Sequence, residues 1–138
     1  MAQAILVTLE KELGDASAAY VKSKTGKALA RELDRVDFAA RKCKVTQPSS
    51  LLSENPTALM EEMKAQGFDP AKMRIPPEQW FSAAEGLAVV RGLVAHVGSN
   101  LNDFKQPNPI LRDLKAAETL LAAAQMAGVR FHFTKADR

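Results

Sequence analysis

The sequence predicts an all-α fold, a compact single-domain bundle of about five helices with a short extended C-terminal segment. Three observations lead there. Apolar residues recur three or four apart through most of the chain, the spacing that gathers them on one helix face. Proline and glycine stand where such faces begin and end. Period-two alternation, the mark of a half-buried strand, occurs only over Val129-Arg-Phe-His-Phe133. At 138 residues the chain can bury a core without covalent staples, so one domain spanning 1–138 is expected, with 134–138 as a frayed tail.

From Ala2 to Tyr20, the residues Ile5, Leu6, Leu9, Leu13, Ala16 and Tyr20 keep helical spacing. Gly14-Asp15 interrupts them, and the pattern fits one long helix or two short ones. Next, Leu29, Leu33, Val36, Ala40 and Cys43 are spaced 4, 3, 4 and 3. This amphipathic helix starts near Thr25-Gly26 and stops before Gln47-Pro48, because proline disfavours helix in the residue ahead of it.

Asn55-Pro56, Asp69-Pro70 and Asn108-Pro109 each set a capping side chain before a proline, a start signal for helices. The helix after Asn55-Pro56 holds Leu59, Met60 and Met63 and ends at Gly67, with Phe68 folding back. At most one turn follows Asp69, through Met73. Pro76-Pro77 opens a central helix whose stripe is Trp80, Ala84, Leu87, Val90, Val94 and Val97, widened by Phe81, Ala88, Val89 and Leu93. So apolar an element should be contacted on more than one side, with Gly86, Gly92, Ala83 and Ala95 admitting close neighbours and Gly98 as its cap. The last helix carries Ile110, Leu111, Leu114, Ala117, Leu121 and Ala124 and ends at Ala127-Gly128. The alternating tail lies extended along the bundle or pairs near Val45-Thr46-Gln47, with His132 facing outward.

Composition is that of an ordinary globular protein, at 46% hydrophobic and 25% charged residues. Cys43 is the sole cysteine, no basic-then-apolar leader opens the chain, and no apolar run nears the ~20 residues that span a bilayer. A cytoplasmic location is the expectation.

Catalytic signals are absent. Cys43 falls on an apolar stripe, where a thiol is structural. His96 and His132 are the only histidines. Glu85 and His96 share a helix face but lie ~16 Å apart at 1.5 Å per residue, too far to share a proton or metal. Ser23-Lys24-Thr25-Gly26-Lys27 lacks the upstream glycine of a phosphate loop. No metal and no cofactor is expected. An enzyme would need a site assembled between helices, for instance from Glu85, Arg91 and His96.

Charge offers one lead. Between Lys22 and Lys44 stand 8 Lys/Arg against 3 Asp/Glu. On a continuous helix Lys24, Lys27, Arg31, Arg35 and Lys42 fall within about 80° of one another. Phe38 sits among them, opposite the apolar stripe. Cations around an aromatic suit an acidic protein surface with an apolar anchor or nucleic acid. The plain alternative is a solvated face with Phe38 covered. The expectation is a small non-enzymatic protein-interaction or regulatory domain, with a protein partner or self-association ahead of nucleic acid. The very apolar central helix is the ground for self-association.

Overall fold

The computed structural model describes residues 3–53, 56–69, 72 and 77–137. Its fold is mostly helical but not all-α, and the departure starts at the N-terminus. Gln3–Leu9 is a strand, β1, where the spacing predicted helix. A short apolar run satisfies both periods. Ile5, Val7 and Thr8 are β-branched, which tips the balance toward the pleated form once a partner strand is at hand.

That partner is β2, Phe131–Asp137. The two strands pair antiparallel from Gln3 opposite Asp137 to Leu9 opposite Phe131. The alternating tail is therefore extended as predicted, but it pairs with β1 and not with the stretch near Val45. Residues 134–137, expected to fray, complete the ladder; Arg138 lies outside the described residues. A two-stranded ribbon is marginal alone, and here each outer edge is occupied over part of its length. On β1 the Ile5 N–H donates to the Gly26 carbonyl at 3.0 Å and the Val7 N–H to the Tyr20 hydroxyl at 3.0 Å. On β2 the Ser53 N–H donates to the Phe133 carbonyl at 2.9 Å, while Phe81 and Phe131 exchange two bonds at 2.8 and 2.9 Å.

Among the described residues there are six α-helices. α1 (Asp15–Ser23) starts at the Gly14 break. The expected second helix is split into α2 (Lys27–Arg31) and α3 (Leu33–Lys42), with Glu32 at the joint. Gly26 precedes α2 at φ 112°, and a Cβ there would lie 2.5 Å from the Ile5 carbonyl oxygen, so only glycine fits. α4 (Pro56–Ala65) places proline first and ends as predicted, with the Phe68 N–H donating to the Met63 carbonyl at 2.9 Å. Asn55, Pro70, Met73 and Pro76, read as punctuation and turn residues, lie outside the described residues.

α5 (Ala83–Ser99) begins later than Pro76-Pro77 implied. Ser82 is its cap, accepting the Glu85 N–H at 3.2 Å. Trp80 and Phe81 thus precede the helix in extended chain, and Phe81 bridges to Phe131. The helix also runs through Gly98 to Ser99, so Gly98 is not its cap. α6 (Pro107–Ala127) opens at Pro107, ahead of Asn108-Pro109, and closes on Gly128 as expected.

α5 and α6 pack together over the inner face of the ribbon, with Leu93, Val97, Ile110, Leu121 and Phe131 fully buried. The exposed positions of α5 are Ala84, Glu85, Ala88, Arg91, Ala95, Gly98 and Ser99. None is a large apolar residue, and the ground for self-association is thereby removed. No helix of the described residues is long and apolar enough to cross a membrane.

Two buried carboxylates tie α2 and α3 to α6. Asp113 of α6 accepts the Ala28 and Leu29 N–H groups at 3.0 and 3.2 Å, capping α2 from outside. Glu32, at the α2–α3 joint, accepts the Lys105 and Gln106 N–H groups at 2.7 and 3.0 Å, just ahead of α6. Each helix start is deprived of intrahelical acceptors, and each is met by a carboxylate from the other element. Burial works against the Glu32 charge, yet those two amides and the Arg35 guanidinium outweigh it and hold its carboxyl below the ordinary 4.5.

Three outcomes test this packing. Gly86→Ala should lower stability by about 1–3 kcal/mol in chemical denaturation despite the better helix propensity of alanine, because the added Cβ would lie 2.5 Å from the buried Phe131 ring. A neutral or stabilising result would refute that contact. Asp113→Ala should cost about 1–3 kcal/mol through two stranded amides, and amide exchange at Ala28 and Leu29 should quicken. The Glu32 contribution has a definite sign. A lowered folded pKa stabilises fully above 4.5, and that stability drains as pH falls through the folded value. Glu32→Gln should therefore flatten the acid limb of melting temperature against pH, whereas parallel curves would count against the assignment.

Candidate functional site

The basic face predicted from one continuous helix is only partly assembled. Lys24 is the left-handed residue that ends α1, at φ 51°. The turn at Gly26 and the joint at Glu32 then break the wheel twice. Lys27 and Arg31 are exposed on α2 but line no cavity with the rest. Arg35, Phe38 and Lys42 do come together, on the outer side of α3.

α3 buries Val36, Ala39 and Ala40, which turns Asp34, Arg35, Phe38, Arg41 and Lys42 to solvent. Phe38 is 51% exposed, so it is not the covered residue of the plain alternative. The Lys42 Nζ lies 4.6 Å and the Arg41 Cζ 5.5 Å from its ring centroid, inside the ~6 Å range of cation–π attraction. Arg41 was not among the predicted site residues, although three- and four-residue spacing from Phe38 marks both cations as its neighbours.

Beside this ring opens a cavity of about 300 Å³. Its floor is Ala39 and Phe104, both buried, with half-buried His96 of α5. Its rim is Asp34, Arg35, Phe38, Lys42 and Asp103, all exposed. Arg35 is held by Glu32, Nη1 to Oε1 at 3.2 Å. The same Glu32 fixes Lys105 and Gln106, and so sets the loop that carries Asp103 and Phe104. His96 Nε2 is sealed from solvent and is, among the described residues, the buried side-chain nitrogen with no hydrogen-bond partner. An apolar floor under a rim of both charge signs can hold a group. It offers no activated nucleophile.

Glu85, Arg91 and His96 do not converge. Glu85 sits in the exposed first turn of α5, and Arg91 pairs with Glu118 of α6 at 3.7 Å. Cys43 is half-buried, its thiol 3.7 Å from the Ala40 carbonyl.

His132 is the other reversal. Predicted to face outward, it is 1% exposed. Its Nε2 lies 2.9 Å from a Glu78 carboxylate oxygen, and its Nδ1 3.1 Å from the Thr134 hydroxyl. That hydroxyl in turn meets Thr8 at 2.8 Å. Trp80 closes over the imidazole, ring centroids 4.5 Å apart. Carboxylate, imidazole and hydroxyl stand in the order used to activate a nucleophile, but the ring is shut from any substrate. The row fastens the 77–81 segment to the ribbon. Nothing local announces it, since Glu78 and His132 are distant in sequence.

No protein-family model, curated protein or solved structure matches the chain.

Proposed function

We propose that this chain is a non-enzymatic binding module that takes an acidic protein segment on the outer face of α3. The observation that carries this reading is Phe38, half exposed and flanked by Lys42 and Arg41 at the mouth of a cavity. An apolar side chain held in water by its surroundings is available area, and cations around it attract acidic side chains and slow their departure. Arg31 and Arg35 extend the positive field along α2 and α3.

One feature favours protein over nucleic acid. Asp34 and Asp103 stand on the rim, where a phosphate backbone brings charge at every unit, whereas a peptide can turn amides or hydroxyls to them and keep its acidic side chains for Arg35 and Lys42.

The test is a titration with an acidic polypeptide such as polyglutamate, in parallel with duplex DNA. Polyglutamate should bind, weaken as salt screens the contacts, and weaken about tenfold or more on Phe38→Ala if the ring is an anchor. That variant should stay within about 0.5 kcal/mol of parent stability, as surface substitutions do. Binding confined to DNA, with a log–log salt slope near −3.6 for about four phosphate contacts, would overturn the protein reading. Salt-insensitive retention of neither polymer would leave α3 a merely solvated face.

A further inference from the structure

We infer that the acidic segment taken by α3 is α4 of a second copy of this chain, an assignment that deepens the binding role argued above and rests on it. α4 (Pro56–Ala65) is a helix the fold leaves uncovered: among its described residues no side chain is buried. On its wheel Leu59, Met60 and Met63 fall within about 100° of one another, an apolar stripe of the kind that packs into a groove. Yet Leu59 and Met63 are only half-buried, Met60 is exposed, and none of the three joins the core. Phe68, whose N–H bonds back to the Met63 carbonyl, widens the apolar end and is itself 54% exposed. A helix of 10 residues has little stability of its own in water, so an open stripe along it calls for cover.

Charge identifies the cover. Beside the α4 stripe stand Glu61 and Glu62, with Lys64 further along, and all three are exposed. Around Phe38 the signs are reversed: Arg35, Arg41 and Lys42 predominate, with Asp34 as the counterpart of Lys64. Each surface offers what the other lacks, acid to base around an apolar centre, and complementary potentials of this kind select a partner and speed its encounter. Thioether on aromatic ring is a favourable pairing, which suits Met60 to Phe38. The contact runs between copies. Within one chain Phe38 is 51% and Met60 38% exposed, so both remain open. The root of the α4 segment is tied where the Gln79 N–H donates to the Ser53 hydroxyl at 2.8 Å. An α3-to-α4 contact uses a different patch on each molecule, so one copy can engage two neighbours. It owes nothing to α5, whose exposed positions carry no large apolar side chain.

Sedimentation of the intact chain across the micromolar range, at low and at high salt, reads the association. The weight-average mass should rise above the 15.0 kDa of one chain as concentration increases, and fall back as salt screens the pairs. Polyglutamate, taken by the same face, should return the unaltered chain to monomer, a result that needs no variant. Arg41→Glu with Lys42→Glu should hold the chain monomeric, and so should Glu61→Lys with Glu62→Lys, since each sets like charges opposite one another. An equimolar mixture of those two variants should regain the association, because each then meets its opposite. All four positions are exposed, and recovery on mixing shows that both variants are folded. A monomer at every concentration, with polyglutamate still bound, would overturn the docking of α4 and leave the binding role of α3 standing. A monomer that binds no polyglutamate would overturn the two together. Association that ignores salt and polyglutamate, or persists through both reversals, would place the contact elsewhere and sink the inference. Two folded variants that stay monomeric when mixed would sink it as well.

Discussion

A carboxylate withdrawn from water has to be met by donors, and a helix start has amide hydrogens to give. Glu32 and Asp113 use this complementarity in opposite directions across one interface. Asp113 of α6 holds the first amides of α2, while Glu32 at the α2–α3 joint holds the amides just before α6. Charge-assisted bonds of this kind are about twice as strong as neutral ones; those of Asp113 are buried and those of Glu32 partly so. The remaining architecture is arranged around that crossed clamp. It fixes the angle at which α3 leaves α2 and the course of the loop that enters α6.

The cavity follows from the same clamp. Asp103 and Phe104 stand on the loop that Glu32 anchors, Arg35 is oriented by Glu32 directly, and His96 faces them from α5. The proposed binding site and the folding energetics thus share a residue. The amides that lower the Glu32 pKa also shape the rim of the cavity.

The ribbon solves a different problem. It joins the two ends of the described chain, and outer hydrogen-bond positions at Ile5, Val7, Phe131 and Phe133 are filled by Gly26, Tyr20, Phe81 and Ser53. Covered edges do not recruit other strands. On one face Phe131 presses against Gly86 of α5. On the other, His132 is gripped by Glu78 and lidded by Trp80, which converts a polar ladder position into a buried fastening.

Sequence by itself determined what depends on short-range order. The helical nature of most of the chain was legible, along with the Val36–Ala40 inner stripe, the glycine stops at Gly67 and Gly128, and the Arg35–Phe38–Lys42 grouping. In each, periodicity or a backbone requirement acts within a few residues. The start of α5 was also written locally, as Ser82 followed at three residues by Glu85, though the stronger-looking Pro76-Pro77 masked it. Only the tertiary structure decided the rest. Gln3–Leu9 is a strand because Phe131–Asp137 lies beside it, and a mostly apolar stretch of seven residues does not choose its period alone. The break at Glu32 and the loss of Lys24 from the basic face come from carboxylate and glycine contacts with distant backbone. His96 became a cavity residue, and His132 a buried one, through neighbours that no spacing encodes. Pairing over long sequence separation is a property of the packed chain, and the chemistry of the site inherits it.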